Sequence, residues 1–553
     1  MCGLVGRLPP EEEYGNIEYK TRLTNISESR VKHLITQMKW RLEEGNGKAI
    51  YEIGVADDGV ITGLNDFEME TSLQTMKIMA EELCVKMTII NEKKVEGGKK
   101  MVEIVVEKEE YEDNFQEIRV AIIGSAEAGK STLCGVLSQG ELDDGKGRAR
   151  VNVFRYLHEF KTGRTSSICL TTLRYDNKGK MLGKCNPNHL IDSSCSKIVT
   201  LIDLAGDKKY LKTTIYGISG YRPNVCCVVI SGKGPPGIMT KEHLGFVMAL
   251  NIPFFVVITK IDSVNEDHLT KVMVSINSLL KTVSGDRKTV YVNNEDIVEE
   301  YAISLCNRKK IIPIISLSSV NGKNLNILKK FLGYLKNNNI TRIKNVTMKK
   351  KEIDPLFYVE EVFKVTGVGI VVCGTLSQGM LTEGDRVRIG PTSRDGSFVT
   401  ATIKSIHKKK QEPIKNIYGG ETASLAINIE KHLHVSYIIK RLLIQKGMIL
   451  VGIGKNNELK LCRQFIARFF LLSHHSRGII FVGFQGTMYI GSVCQTVTII
   501  NIEGGEKSLK TGRWYNVKFE FYSIPQCIKV GDSIIFREGK TKGMGEILKI
   551  FCS

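Results

Sequence analysis

Residues 124–132 read Gly124-Ser125-Ala126-Glu127-Ala128-Gly129-Lys130-Ser131-Thr132, which fits the pattern G-x4-G-K-[ST]. The stretch follows an apolar run over 120–124 and precedes a helix-like segment over 132–137. That placement gives the pattern its meaning. Glycines let backbone N–H groups wrap a phosphate, the Lys130 ammonium neutralises its outer oxygens, and the Ser131 hydroxyl is a ligand for Mg2+. The spacing predicts a strand, a phosphate-binding loop and a helix, in that order.

Working outward, further short apolar runs occupy 198–204, 225–230, 254–259 and 311–317, separated by helix-length segments. Continuous apolar runs of this kind are strands buried on both faces, so a doubly wound α/β domain is expected. Three of the runs end in chemistry. Asp203-Leu204-Ala205-Gly206 offers a carboxylate for a Mg2+-bound water and a glycine amide for a γ-phosphate. Thr259-Lys260-Ile261-Asp262 offers a carboxylate that can accept hydrogen bonds from guanine N1 and N2, and the amides of Ser318-Ser319 can receive guanine O6. The order of these four signals predicts a cleft for GTP and GDP with Mg2+.

The flanking segments have different textures. Before residue 116, helix-like stretches at 28–44 and 72–83 alternate with strand-like ones. Runs 50–55 and 60–64 are joined by Ala56-Asp57-Asp58-Gly59 as a hairpin, and runs 86–90 and 101–108 flank a Gly97-Gly98 turn. After a polar linker, helical periodicity nearly vanishes and short strands recur between glycine turns, as in β-barrels, with a break near 451–457. The expected organisation is a small α+β N-terminal domain (1–116), a P-loop GTPase α/β domain (117–337), a linker (338–352) and two all-β barrels (353–455 and 456–553).

Composition bounds the rest. With 42% hydrophobic and 25% charged residues, the 553-residue chain is of globular composition. No apolar run approaches the ~18 to 20 residues of a membrane helix, so no membrane partner is expected. The first residues carry no basic segment followed by an apolar core, and the 14 cysteines are scattered, which predicts a cytoplasmic protein with reduced thiols. The net charge of +19 is uneven. Residues 1–116 carry 15 basic and 23 acidic side chains, 117–337 carry 31 and 19, and 338–553 carry 32 and 17. A basic rear makes RNA contact through the barrels an expectation, beside the plainer reading of a solvated surface.

The motifs together resemble the translational GTPases of the elongation factor Tu and 1-alpha class. Within that class the chain is similar to the family of GTP-binding protein 1 and GTP-binding protein 2, the second giving the better match. The resemblance is carried by 36–45 (TQMKWRLEEG), 140–150 (GELDDGKGRAR), 163–168 (GRTSSI), 210–217 (YLKTTIYG), 316–322 (SLSSVNG) and 536–545 (FREGKTKGMG). It implies a GTPase that hydrolyses GTP to GDP and phosphate, with Thr165 as the switch threonine on Mg2+ beside Ser131 and the water-bridged Asp203. It also implies a ribosome or release-factor-like partner, in translation surveillance or rescue of stalled ribosomes.

Two departures stand out. Where the family has a histidine after Asp-x-x-Gly, this chain has Asp207 following Gly206, and a carboxylate there repels a γ-phosphate. Two readings therefore stay open: a GTP-dependent switch with turnover, or a GTP-dependent adaptor with little or no hydrolysis. In the phosphate loop, Glu127 keeps a carboxylate but is one methylene longer than the family's usual aspartate. An RNA-binding adaptor with a vestigial nucleotide site is the third reading, weakened because Lys130, Ser131, Thr165, Asp203 and Asp262 are all present.

Weaker patterns read as structural. Cys185, His189 and Cys195 have zinc-compatible spacing but no fourth ligand, within a loop insertion over 176–196. His474-His475, and His432 with His434, suit strand faces. Residues 404–410 (KSIHKKK) form a basic hairpin tip without interleaved aromatics.

Overall fold

The computed structural model describes residues 7–107, 116–183, 195–336, 353–408, 412–430, 444–453, 461–474 and 478–552, apart from positions 13, 25, 46 and 84. The N-terminal unit has β1 (Ile17–Lys20), α1 (Glu28–Glu44), β2 (Lys48–Ile53), α2 (Asp66–Glu82), β3 (Lys86–Val95) and β4 (Lys99–Glu107). Its sheet runs β1-β2-β4-β3. Leu34, Met38 and Leu42 of α1, at helical spacing, share one core with Met76 and Met79 of α2 and with Tyr51, Ile53 and Ile104 of the sheet. Helix α2 starts at Asp66 rather than at residue 72, because Asn65 and Glu68 form a reciprocal capping box. The expected hairpin of 50–55 with 60–64 is corrected to a single bridge, Val55 to Ile61. Both edges of β2 are already taken, by β1 in parallel and by β4 antiparallel, so no edge is left for a hairpin partner.

The second unit begins with β5 (Gln116–Ile123) and α3 (Lys130–Gln139), followed by α4 (Leu157–Thr162), β6 (Cys169–Tyr175) and β7 (Lys197–Asp203). Next come α5 (Leu211–Gly220), β8 (Val225–Ser231), α6 (Ile238–Ala249), β9 (Phe254–Thr259) and α7 (Glu266–Ser284). The α/β layer closes with β10 (Lys288–Tyr291), α8 (Val298–Cys306), β11 (Ile311–Ser316) and α9 (Leu325–Tyr334). Strand order is β10-β11-β9-β8-β5-β7-β6, parallel except for the β6–β7 pair. Separate apolar clusters cover the two faces, and β5, β7, β8 and β9 contribute to both, which is why their sequences are continuously apolar. Strands β6 and β10 lie at the sheet's edges, are less apolar, and were not foreseen. The chemistry-bearing motifs follow β5, β7, β9 and β11, so parallel pairing delivers all four to one edge of the sheet.

Two barrels follow. In the first, strands Arg386–Gly390, Ile449–Gly452, Leu356–Val365, Gly369–Gln378, Thr422–Ile429 and Val399–Lys408 pair in that order and close on Arg386–Gly390. In the second, Trp514–Phe521, Val493–Ile502, Gln485–Ile490, Ser533–Glu538, Thr541–Cys552 and Leu461–Ser473 close in the same way on Trp514–Phe521. Closure leaves each ring without a free edge. The architecture is therefore the one expected: a small α+β unit, an α/β layer and two β-barrels.

The weaker patterns fall only in part within the described residues. Cys185, His189, His432, His434, His475, Lys409 and Lys410 lie outside the described residues. Cys195 is buried, and among the described residues no group of three His, Cys, Asp or Glu side chains could hold a metal ion. His474 bonds the Thr541 hydroxyl at 2.7 Å, and Lys408 pairs with Glu421 at 3.0 Å. Among the described residues no helix is long and apolar enough to cross a membrane.

The α/β layer and first barrel meet through a buried ion pair. Arg119 Nη1 reaches both Glu360 oxygens, at 2.8 and 3.0 Å, and also the Tyr221 carbonyl at 2.7 Å. Burial disfavours the Arg119 charge, but Glu360 and Glu117 outweigh it and hold its pKa up. Removing one partner of such a pair strands the other in low dielectric, whereas replacing both with apolar groups is nearly neutral. Arg119→Met is therefore expected to destabilise this unit by about 3 to 5 kcal/mol in chemical denaturation. Adding Glu360→Leu is expected to recover most of that loss; a loss without recovery would show that Arg119 acts through other contacts.

Candidate functional site

The sheet ends in a loop that only glycine can begin. Gly124 has φ of 143°, and a Cβ there would sit 2.1 Å from the Val229 carbonyl oxygen. Glu127 takes φ of 64° without being glycine, which costs on the order of 1 kcal/mol. Ala128 lies behind the loop, where its carbonyl accepts from the Thr259 hydroxyl at 2.6 Å. Lys130 is buried and donates to the Ser125 carbonyl at 2.8 Å. Burial lowers its pKa, opposed by the nearby Asp203 carboxylate. The loop's first amide, at Gly124, donates to Nδ1 of His243 on α6 at 3.2 Å. Burial and then Lys130 push the His243 imidazolium down to about 3, so the ring is a neutral acceptor. A lone histidine in a helix gave the sequence reading no signal for this role.

Three predicted side chains converge behind the loop. Ser131 Oγ donates to Asp203 Oδ2 at 2.6 Å and lies 2.6 Å from Thr165 Oγ1. Asp203 is wholly buried, and its Oδ1 has no hydrogen-bond partner. Burial raises its carboxyl to about 6, against the lowering pull of Lys130 and Ser131. Hydroxyl and carboxylate oxygens with one buried lone-pair face unsatisfied are the donor set a hard divalent cation such as Mg2+ takes. Gly206 comes close to the loop: a Cβ there would lie 2.3 Å from Lys130 Nζ and 2.7 Å from the Ala126 nitrogen. Only glycine fits beside the phosphate loop at that turn.

Asp207 does not point to open solvent. Its Oδ2 accepts from Arg164 Nη1 at 3.0 Å, and its Oδ1 accepts from the Lys209 amide at 3.0 Å. Nη2 of Arg164 reaches Glu127 Oε1 at 3.5 Å. One guanidinium thus spans the phosphate loop, the segment before Thr165 and the turn after Gly206.

That segment is held by a residue the sequence reading missed. Glu159, buried on α4, accepts from the amides of Arg155, Tyr156, Ser166 and Ser167 and from the hydroxyls of Ser166 and Ser167, at 2.6 to 3.1 Å. Despite its burial, these bonds pull its carboxyl down to about 2. Gly163, with φ of 64°, ends α4, and Thr165 then faces inward to Ser131 while Arg164 stays exposed. A glutamate three positions after the helix cap is a legible capping signal; the bonds to Ser166 and Ser167 need the tertiary turn.

The base-side motifs assemble nearby. The Ser318 hydroxyl donates to Asp262, and Lys260, at φ of 59°, donates to the Glu127 carbonyl at 2.8 Å. Asp143, also missed, accepts from the amides of Gly145, Gly147 and Ala149 at 2.9 to 3.1 Å, while its own amide donates to the Ser319 carbonyl at 2.9 Å. Two cavities adjoin here. One of about 50 Å3 lies among Lys130, Ser131, Arg164, Thr165, Gly206 and Asp207. The other, of about 250 Å3, lies against Lys260, Asp262, Ser263 and Ser319. They share Gly129, Thr132 and Arg150, so they form one cleft. A larger cavity of about 500 Å3 at the opposite edge of the sheet, beside Arg222, Asn251 and Asp532, holds none of the motif residues.

Comparison with known proteins agrees with this geometry. The elongation factor Tu GTP binding domain family matches residues 116–351. GTP-binding protein 2 of Homo sapiens is 39% identical over 549 residues, covering 98% of this chain and 88% of that protein. GTP-binding protein 1 of Xenopus laevis is 36% identical over 561 residues, covering 100% and 81%. Among solved structures, the GTP-bound GTPase-like domain of S. cerevisiae Ski7 superposes with a TM-score of 0.55 at 16% identity, covering 78% of this chain and 97% of that one. At that identity the likeness shows the fold alone.

The folded carboxyl of Glu159 titrates near 2 against an ordinary 4.5, so its stabilisation is complete above pH 4.5 and is lost as pH falls toward 2. Glu159→Gln is expected to lower stability at pH 7 by on the order of 3 kcal/mol. In denaturation curves the gap between the two proteins should narrow steadily below pH 4.5; a pH-independent gap would assign the effect to packing.

Proposed function

The chain belongs to the family of GTP-binding protein 1 and GTP-binding protein 2, translational-type GTPases of the elongation factor Tu kind, and from that premise we propose that it binds GTP and Mg2+ in the cleft and works as a GTP-dependent switch on ribosomes. The observation that carries this reading is the convergence of Ser131, Thr165 and the half-satisfied Asp203 at one end of a cleft whose other end is Asp262. In this reading the amides of residues 125–132 and Lys130 hold the β- and γ-phosphates, and Ser131, Thr165 and, through water, Asp203 hold the metal. Bound Mg2+ supplies charge neutralisation for the phosphate oxygens. Thr259 braces the loop, Asp262 accepts from guanine N1 and N2, and Ser318 and Ser319 surround O6 with amides. Lys260 covers the base from the side of Glu127.

The switch has a physical route to the barrels. Helix α5 starts just after the turn at Asp207, and its Leu211, Ile215 and Ile218 share a core with Tyr489 and Ile535 of the second barrel. Its Tyr216 hydroxyl donates to the Glu360 carbonyl of the first barrel at 2.8 Å. A γ-phosphate that pulls on residues 203–210 therefore pulls on both barrels. The basic barrels suit a ribosomal RNA surface or a release-factor-like partner, and surveillance or rescue of stalled ribosomes is the role this family membership suggests. A second reading, a GTP-dependent adaptor with little turnover, is favoured by Asp207, because a carboxylate cannot stabilise charge developing on the γ-phosphate.

Asp262→Asn is expected to weaken GTP and GDP alike by about 10- to 100-fold in equilibrium titration, the loss of charge-assisted hydrogen bonds to the base. Unchanged affinity would remove Asp262 from the base site. Single-turnover hydrolysis with and without ribosomes separates the two readings. Turnover by the native chain that Asp207→His leaves unchanged identifies a GTPase whose water is positioned by another group. Turnover that appears only in Asp207→His identifies the adaptor.

A further inference from the structure

The carboxylate at 207 poses a charge problem at the mouth of the cleft. Asp207 and Glu127 both line the small cavity, and a triphosphate would bring further negative charge into it. Of the other cations lining it, Lys130 donates to the Ser125 carbonyl on the loop side, and Arg150 lies beside Gly147 and Gly163. Arg164 is the cation that touches both carboxylates, and its two contacts differ. The bond to Asp207 is 3.0 Å, to a side chain 26% exposed; the bond to Glu127 is 3.5 Å, to a side chain 74% exposed. The second is long and solvated, and pairs of that kind contribute little. A guanidinium has five N–H donors in a planar fork, so it can keep one edge on a carboxylate while the other edge changes partner.

We propose that Arg164 is the residue by which this chain distinguishes GTP from GDP: its Nη1 edge stays on Asp207 while its Nη2 edge leaves Glu127 for an oxygen of the γ-phosphate. The retained bond keeps the carboxylate that stands where the family has histidine paired, and the exchanged edge sets positive charge against the third phosphate, so the turn after Gly206 meets a triphosphate with less like-charge repulsion. The next residue, Thr165, already lies 2.6 Å from Ser131, so the exchanging edge of Arg164 works directly beside the proposed metal ligands. With GDP there is no γ-oxygen to take the Nη2 edge, and Arg164 returns to Glu127. The inference rests on the cleft being a guanine-nucleotide site, and it assigns the part of that site which reads the third phosphate.

The test is equilibrium binding of two fluorescent probes, N-methylanthraniloyl GDP and N-methylanthraniloyl GppNHp, to the full chain in Mg2+. For Arg164→Ala, GppNHp affinity is expected to fall by at least about tenfold while GDP affinity changes by less than about twofold. Adding Asp207→Asn removes the repulsion but not the missing γ-phosphate bond, so the double variant is expected to regain part of the GppNHp affinity. Arg164→Lys keeps the charge without the fork and is expected to fall between the native chain and Arg164→Ala. Equal losses for both probes would overturn the proposal in favour of a role in shaping the loop, and so would failure of Asp207→Asn to rescue. Asp262→Asn serves as the control for the site itself, since it should weaken both probes equally. If the native chain binds neither probe, the nucleotide reading falls and this inference with it. If both bind but Arg164→Ala does not separate them, only this inference falls.

Discussion

Asp203 ends a strand buried on both faces, and everything around the cleft accommodates its carboxylate. One oxygen is bonded by Ser131 and the other has no protein partner. Burial of such a group is costly, and the high pKa reflects it. The fold tolerates the cost because Lys130 stands close by and because Ser131 donates to its Oδ2. The same arrangement that makes the buried carboxylate costly makes it receptive to a cation. A site preorganised in this way does not have to move its ligands far when nucleotide arrives.

The loops that approach Asp203 from outside carry opposite kinds of anchoring. Residues 155–167 are tied inward by Glu159, whose carboxylate accepts four amides and two hydroxyls. That many donors fix the backbone on either side of Gly163, which is what sets Thr165 against Ser131. Arg164, by contrast, pairs among the described residues with one exposed and one partly buried carboxylate. One residue of the pair is locked and its neighbour is loosely held, the combination the proposed switch calls on, with Thr165 as fixed ligand and Arg164 as movable sensor. Asp207, read in isolation as a defect beside a phosphate, is in the fold half of an ion pair.

Beyond the cleft, α5 turns a local rearrangement into a domain-scale one. It leaves the Asp207 turn and packs against the second barrel with an apolar stripe, while its end contacts the first barrel through Tyr216 and Tyr221. The Arg119–Glu360 pair sits at the opposite end of the sheet, beside the start of β5. The nucleotide loop at one end of β5 and the barrel contact at the other are joined by a rigid buried strand. Small displacements at the phosphate are carried through packed elements of this kind because interiors have little compressibility.

The α/β layer was legible because each central strand must be apolar on both faces, and the four motifs were legible because they are contiguous and follow those strands. Edge strands β6 and β10, half exposed, carried too little apolar signal. The hairpin over 50–64 failed because strand pairing is a competition for edges, which the local sequence does not record. By itself the sequence determined the order of the layers and the chemistry available at each strand end. Only the tertiary structure decided which charges meet: Glu159 with the amides beyond Gly163, His243 with Gly124, Asp143 with the loop over 145–149, and Arg164 between Glu127 and Asp207. Of these, Arg164 with Glu127 and Asp207 and His243 with Gly124 lie tens of residues apart in the chain, and all of them depend on loop paths, so their partners follow from how the sheet brings its connections together rather than from any spacing in the chain.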